Sequence, residues 1–212
     1  PLPLPTAHER HGWLVQKLGN LWRWMRAILF FRSRYDTFAV ESVWGYSLIV
    51  QPGVFNPALF DSSQWFTELM EKGEIAVGPR VLDMGTGAGL TAVAAASPGN
   101  EVVAVDINPA AVRSARRNAL LNGVHDRVDV RRGDLFDSVE TERFDTVFFN
   151  PPFYEGIPED GLDRAWRGTD IPERFARGLN LHLSPSGKAF VVLSSRGAPE
   201  KFLQIGRASC RE

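Results

Sequence analysis

The sequence predicts a doubly wound α/β fold, in which helices cover both faces of a mainly parallel sheet. From about residue 46, segments with strand and helix patterns alternate along the chain, as a parallel sheet requires. Two of the strand segments, EVVAVD and DTVFFN, are almost continuous apolar runs. Such runs are typical of strands buried on both faces. The 212 residues are 44% hydrophobic and 23% charged, which suits one globular domain with a modest extension.

The elements follow one another in a regular order after residue 46. Apolar runs bounded by turn residues predict strands at 47–51, 80–84, 101–106, 127–132, 144–149 and 187–194. The spacing of apolar residues predicts helices at 58–72, 89–97, 109–122 and 172–183. The segment 151–172 contains several glycines and prolines and predicts a long loop. We expect this loop to be a substrate lid, because structureless loops of such length are most often functional.

Residues 1–45 differ from this pattern and predict an N-terminal helical extension. Apolar residues recur there at helical spacing, with Arg23 and Arg26 on the opposite face. These apolar residues are Leu14, Leu18, Leu21, Met25 and Ile28. We expect the stripe to pack against the main domain. A contact with a substrate protein or RNA, or a position on a membrane surface, would use the same stripe and stays open.

A glycine-rich turn between the second predicted strand and the following helix is the first candidate binding site. Gly85, Gly87 and Gly89 let the backbone approach a ligand, and the helix presents free N–H groups. Dinucleotide-binding turns usually have the spacing G-x-G-x-x-G and receive a pyrophosphate. Here the spacing differs, and the carboxylate of Asp83 would repel a pyrophosphate but suits a ligand with an ammonium group. The next strand ends at Asp106, where a carboxylate can accept hydrogen bonds from both ribose hydroxyls.

The segment NPPF, residues 150–153, follows a predicted strand and lies where ligands bind in open α/β sheets. An amide or aryl amine is a poor nucleophile because its lone pair is delocalised, so the nitrogen must be held in one orientation. The Asn150 side-chain oxygen and the Pro151 carbonyl can accept hydrogen bonds from both N–H groups of such a nitrogen. Both residues precede a proline, Pro151 and Pro152, which favours extended backbone and fixes the two carbonyl directions. Phe153 can stack on a flat target group.

These motifs together resemble one family. VLDMGTGAGL at 81–90, Asp106, Asp134 and FFNPPF at 148–153 occur in the order found in class I S-adenosylmethionine-dependent methyltransferases that methylate a planar nitrogen. The resemblance covers about residues 46–195. It implies a Rossmann-like fold, methyltransferase activity, and S-adenosylmethionine as the cofactor.

The same resemblance implies further cofactor-binding residues. Thr86 lies within the glycine-rich turn, and Ile107 is implied to pack on the adenine ring. Asp134, in the sequence GDLF, is implied to accept a hydrogen bond from the adenine amino group, with Leu135 alongside.

The phrase VQPGVFNP ahead of the cofactor motif, followed by NPPF, is similar to the small-domain methyltransferases and the release-factor glutamine methyltransferases. This similarity implies the side-chain amide of a protein glutamine as the target. The family more often has tyrosine where Phe153 stands, and Ala58, Leu59 and Phe60 occupy positions where it has acidic residues. N-methylation of a nucleic-acid base, adenine N6 or guanine N2 in RNA or DNA, is the alternative. A degenerate domain that only binds partners and an NAD-linked dehydrogenase are two further hypotheses.

The resemblance also bears on the limits of the domain. It implies a further helix and an antiparallel strand pair after the strand at 187–194, so we expect an incomplete methyltransferase domain at 46–203 whose C-terminal strands are missing. The last nine residues, QIGRASCRE, back-translate with allowed codons to a widely used sequencing adapter. We therefore expect residues 204–212 to be a non-native tail, with a native polar tail as the alternative.

Charge and composition exclude few partners. The net charge of −1 provides no global basic field, which disfavours tight binding to a nucleic-acid duplex unless a local basic patch exists. The four histidines show no ligand spacing with cysteines or acids, so no metal site is predicted. No run reaches membrane-spanning length, and the initial PLPLP does not resemble a signal peptide. We therefore expect a cytoplasmic protein without a membrane span.

Overall fold

The computed structural model describes residues 37–152, 154–155, 167–168 and 170–193. The predicted apolar stripe of the N-terminal extension, Phe153, most of the predicted lid and the tail 204–212 lie outside the described residues. The strands are β1 Ala39–Val43, β2 Tyr46–Val50, β3 Arg80–Met84, β4 Glu101–Asp106, β5 Val128–Arg132, β6 Phe144–Phe149, β7 Tyr154–Glu155, β8 Arg167–Gly168 and β9 Leu183–Val191. The α-helices are α1 Trp65–Glu71, α2 Leu90–Ala96, α3 Pro109–Leu121 and α4 Ile171–His182.

The central sheet has five parallel strands in the order β5-β4-β3-β6-β9. The chain starts this sheet at the centre, winds outward through β4 and β5, and then returns to the other side of β3 through β6. Helices cover both faces, so the predicted doubly wound, mainly parallel fold is confirmed. The order reverses between β3 and β6, and their last residues, Met84 and Phe149, are partners in the ladder. The glycine-rich turn and the NPPF segment therefore begin side by side at the carboxyl edge of the sheet.

Two apolar layers sandwich the sheet. Successive residues of β3 and β6 alternate between them, since Val81 and Phe148 belong to one layer and Leu82 and Phe149 to the other. Helices α2 and α3 pack on the first layer, and α4 packs on the second through Phe175. Both faces of each central strand are thus buried, which explains the continuous apolar runs of the sequence.

A hairpin of β1 and β2 precedes the central sheet and corrects part of the N-terminal prediction. Residues 39–43 were predicted within the helical extension, but they form a strand antiparallel to β2. The connecting residues Trp44 and Gly45 both have positive φ, 53° and 82°. A two-residue turn of this kind matches the twist of paired strands and favours a hairpin over a continuing helix.

Helix α3 fixes the free edge of β2 with polar side chains one turn apart. Asn118 Oδ1 accepts from the Ile49 N–H at 2.7 Å, and its Nδ2 donates to the Ile49 carbonyl at 3.1 Å. Asn122 bonds both backbone groups of Ser47 in the same way, at 3.1 and 2.8 Å. Asn118 Nδ2 also donates to the Ala88 carbonyl at 2.8 Å. One buried amide therefore ties the hairpin to the glycine-rich turn.

Two other predicted elements differ from the structure. The predicted helix 58–72 consists of two 3-10 turns, Pro57–Leu59 and Asp61–Ser63, followed by α1. Asn56 Oδ1 caps the first turn by accepting from the Ala58 N–H at 2.9 Å, and such local bonds favour turns over a long helix. The last strand begins at Leu183 rather than 187, with a register shift opposite Phe144 and Thr146 that accommodates Pro185 and Gly187.

Candidate active site

The glycine-rich turn places two of its glycines in different surroundings. Gly89, with φ of 86°, lies against α3, because a Cβ there would stand 2.9 Å from the Ala115 Cα. Gly87, with φ of 56°, borders open space, since a Cβ there would meet no atom within 4 Å. Gly89 thus permits close packing of two helices, whereas Gly87 leaves room for a ligand to approach the backbone.

Asp106 is held at the end of β4 by backbone N–H groups. Its Oδ2 accepts from the Gly87 N–H and its Oδ1 from the Asn108 N–H, both at 2.8 Å. Burial raises the pKa of the Asp106 carboxyl, while these hydrogen bonds act in the opposite direction. The carboxylate therefore has a fixed orientation at the mouth of the glycine-rich turn.

Asp83 lies beneath this turn. Its side chain is only 3% exposed, and Oδ2 accepts from the Thr86 hydroxyl at 2.6 Å. Burial raises the pKa of the Asp83 carboxyl to about 7, the hydrogen bond from Thr86 lowers it, and the nearby charge of Asp106 raises it further. Asp83 thus places a buried carboxyl beneath the turn and fixes the Thr86 hydroxyl.

No Lys or Arg of the described residues forms an ion pair with Asp83 or Asp106. Two neighbouring carboxylates, that of Asp83 buried and that of Asp106 partly buried, without a cation among the described residues favour a positively charged ligand and disfavour a pyrophosphate. This donor set fits S-adenosylmethionine, which carries an ammonium and a sulfonium group as well as ribose hydroxyls. It fits a dinucleotide poorly, which disfavours the dehydrogenase hypothesis.

The next strand brings the predicted nucleoside-binding residues to the same edge. The Gly133 N–H donates to the Asp106 carbonyl at 3.1 Å, so the sequence that follows β5 starts beside the end of β4. Ile107 and Leu135 are both partly exposed there. Asp134 Oδ2 lies 3.0 Å from Arg174 Nη2 on α4. Arg174 was not predicted as a site residue, because no local pattern links residues forty positions apart.

Asn150 provides the most unusual feature of the edge. Its Oδ1 is buried and accepts no hydrogen bond within the described part of the chain. A buried acceptor without a partner costs about 1–3 kcal/mol, so such atoms are rare unless a ligand or water satisfies them. Pro151 is buried and Pro152 is partly exposed, whereas Phe153 lies outside the described residues. The acceptor predicted from the sequence therefore has unused hydrogen-bonding capacity among the described residues.

The family model of the methyltransferase small domain matches residues 45–206. The chain belongs to this family. The motifs at the carboxyl edge are therefore those of a methyltransferase, and S-adenosylmethionine is its cofactor. The sequence-based expectations of family, enzyme class and cofactor are confirmed.

Curated relatives support this membership. A putative protein N5-glutamine methyltransferase of Methanocaldococcus jannaschii is 33% identical over 165 residues, which cover 74% of this chain and 80% of that protein. A release factor glutamine methyltransferase of Gloeobacter violaceus is 34% identical over 215 residues, covering 91% of this chain and 71% of that protein.

A solved structure shows the same fold. The 16S rRNA N2 G1207 methyltransferase of T. thermophilus, solved in complex with AdoMet and guanosine, is 25% identical with a TM-score of 0.63. The match covers 79% of this methyltransferase but only 44% of that chain. In the residues described here, no helix is long and apolar enough to cross a membrane. Those residues also contain no group of three or more His, Cys, Asp or Glu that could hold a metal ion.

Proposed function

We propose that this methyltransferase transfers a methyl group from S-adenosylmethionine to the side-chain amide nitrogen of a protein glutamine. The observation that carries the proposal is the buried and unsatisfied Oδ1 of Asn150. Two of the similar curated proteins are named as glutamine methyltransferases, which supports the amide as the target. We place the reaction in the cytoplasm, where translation factors are found.

The cofactor supplies an electrophilic methyl group. The chain must hold the target nitrogen so that its lone pair points at that group. Asn150 Oδ1 accepts a hydrogen bond from one N–H of the amide, and the Pro151 carbonyl accepts from the other. These acceptors stabilise the positive charge that develops on nitrogen as the new N–C bond forms and the methyl–sulfur bond breaks, which would leave S-adenosylhomocysteine as the other product. The nitrogen then loses a proton to water, so no strong base is required.

The residues at the ends of β3, β4 and β5 would hold the cofactor. Asp106 would accept from the ribose hydroxyls, and the open space beside Gly87 would admit the cofactor close to the backbone. Asp134 would accept from the adenine amino group, with Ile107 and Leu135 beside the ring. The charge of Asp83 would stabilise the ammonium group.

Methylation of a nucleic-acid base is the second candidate. An exocyclic amino group of adenine or guanine is also planar and also presents two N–H groups, so Asn150 and Pro151 could hold it in the same way. The likeness to a 16S rRNA guanine methyltransferase favours this possibility. Binding of such a base requires that it leave its stack.

Methyl-labelled S-adenosylmethionine separates these two candidates. The protein is incubated with the labelled cofactor and fractionated cell extract, and the products are treated with protease or nuclease. We expect protease to release the label. After complete enzymatic digestion, the labelled product should co-migrate with N5-methylglutamine. Label that nuclease alone releases would overturn the glutamine proposal in favour of the base.

A further inference from the structure

Helix α3 presents a row of arginines to solvent. Arg113, Arg116 and Arg117 are all exposed, and their spacing of three and four residues places them on one face of the helix. The opposite face of α3 is buried against the sheet through Val112, Ala115 and Ala119.

Arg132, the last residue of β5, extends this row. Val128 and Val130 pack in the same apolar layer as α3, so Arg132, two positions further along the strand, lies on the α3 side. Arg116 donates from Nε and Nη2 to the Val130 carbonyl, at 3.2 and 2.6 Å. Arg131, between Val130 and Arg132, reaches the other side, where it pairs with Glu142. Arg113, Arg116, Arg117 and Arg132 therefore form one surface, which we call the arginine face.

The arginine face lacks negative partners. Within the described residues, none of its four guanidinium groups forms an ion pair with an acid. The neutral side-chain amide of Gln51 accepts from Arg113 Nε at 3.4 Å. With the amide group flipped, its oxygen accepts from Arg117 Nη1 at 3.0 Å instead. By contrast, Arg80, Arg131 and Arg174 each pair with a carboxylate. The arginine face thus groups four cations without an acidic partner on one surface of a chain whose net charge is only −1. Other exposed cations without an ion pair among the described residues, such as Arg143, Arg177 and Lys188, lie on other elements.

The location of the arginine face relates it to the cleft. Arg132 is the ladder partner of Asp106, so the row starts at the carboxyl edge of the sheet. Helix α3 begins at Pro109, three residues after Asp106, and carries the other arginines away from that edge. An extended polyanion bound along this row would therefore end near Asp106, the residue proposed to bind the ribose of the cofactor.

We propose that the arginine face binds the phosphate backbone of an RNA strand. A guanidinium group matches phosphate with paired, parallel hydrogen bonds, and all four cations are arginines. Phosphate contacts of this kind position a strand without reading its sequence. The proposal holds whether the methylated group is a glutamine presented near RNA or a base of that RNA.

The test uses the full chain and a 20-nucleotide single-stranded RNA of mixed sequence, with binding followed by fluorescence anisotropy. The variant R113Q/R117Q/R132Q removes three charges from the arginine face and keeps Arg116, which covers the Val130 carbonyl. The matched control, R143Q/R177Q/K188Q, removes three exposed charges from other surfaces. We expect at least a tenfold loss of RNA affinity for the first variant and less than a twofold change for the control. The slope of log affinity against log salt should fall by about 2 for the first variant, because each single-strand phosphate contact contributes about 0.7.

Several results would overturn the proposal. These are equal losses in both variants, absence of RNA binding by the wild-type protein at low salt, and tighter binding of a polyglutamate peptide than of RNA. If the triple variant does not fold, the single variants Arg117→Gln and Arg132→Gln are measured instead. Each is expected to weaken RNA binding two- to threefold. The protein could fail to methylate glutamine and still bind RNA through the arginine face. That result would contradict the proposed substrate and leave the RNA-binding proposal intact.

Discussion

Arg174 Nη2 lies 3.0 Å from Asp134 Oδ2, although the two residues are forty positions apart. The pair connects α4, which follows the NPPF segment along the chain, to the residue proposed to recognise the adenine amino group. Because Arg174 bonds one carboxylate oxygen, the other is left for the ligand. This ion pair therefore joins helix α4 to the turn after β5.

Substitution of Arg174 by Ala should weaken binding of S-adenosylhomocysteine about two- to fivefold. Both side chains are partly exposed, 30% and 37%, so the pair is worth at most about 1 kcal/mol. Isothermal titration calorimetry measures the affinity. Arg177→Ala is the matched control, since Arg177 lies on the same helix and, among the described residues, bonds only the Glu173 carbonyl. Equal affinities of the two variants would show that the ion pair does not position Asp134.

Asp106→Ala should weaken S-adenosylhomocysteine binding by about 1.5–3 kcal/mol, because two hydrogen bonds between a carboxylate and the ribose hydroxyls are lost. The exposed Asp126, in the loop after α3, offers the control variant Asp126→Ala. Calorimetry at one pH and salt concentration compares the three proteins. An unchanged affinity for the Asp106 variant would remove this residue from the proposed site.

Asn150→Ala should lower kcat by about a hundredfold or more and leave cofactor affinity almost unchanged, because we propose that Asn150 contacts the target nitrogen rather than the nucleoside. Turnover and binding are measured separately on the same preparation. Asn100→Ala is the control, since the side chain of Asn100 is also partly buried and, within the described part of the chain, bonds only the Ala95 carbonyl, at 2.9 Å. Parallel losses of rate and cofactor affinity would instead indicate a structural role.

The raised pKa of Asp83 predicts a dependence of stability on pH. Burial raises the pKa of the Asp83 carboxyl from its ordinary value of 3.8 to about 7, so the folded state binds an additional proton between these pH values. The free energy of unfolding of the ligand-free protein should therefore fall as the pH rises through this window. Asp83→Asn should remove that contribution, so its stability relative to the wild type increases from pH 4 to pH 8. Urea unfolding at several pH values measures the difference, and a constant difference would contradict the prediction.

The same carboxyl should make cofactor binding depend on pH. An ammonium group near Asp83 favours the ionised carboxylate, so binding should release protons near neutral pH and tighten as the pH rises from about 6 to 8. Calorimetry in buffers of different ionisation enthalpy measures the released protons. If cofactor binding to the Asp83→Asn variant released as many protons as binding to the wild type, the released protons would come from another group.

The sequence by itself determined the elements whose signals are local. Strands β3, β4 and β6 were predicted with the bounds that the structure shows, because apolar runs buried on both faces differ strongly from their surroundings. The glycine spacing and the acid at the end of β4 predicted the cofactor edge. The order of NPPF after β6 then predicted that the reactive acceptor lies at the same edge, since carboxyl ends of parallel strands meet there.

Only the tertiary structure decided the relationships between distant residues. The ion pair of Arg174 with Asp134 and the bonds of Asn118 to β2 join segments that no local pattern connects. The burial of Asp83, which raises its pKa, follows from the packing of α2 and the turn above it. The free Oδ1 of Asn150 likewise depends on which atoms surround it. Periodicity and spacing encode the position of a residue on its element, whereas burial and partner choice arise when the elements pack together.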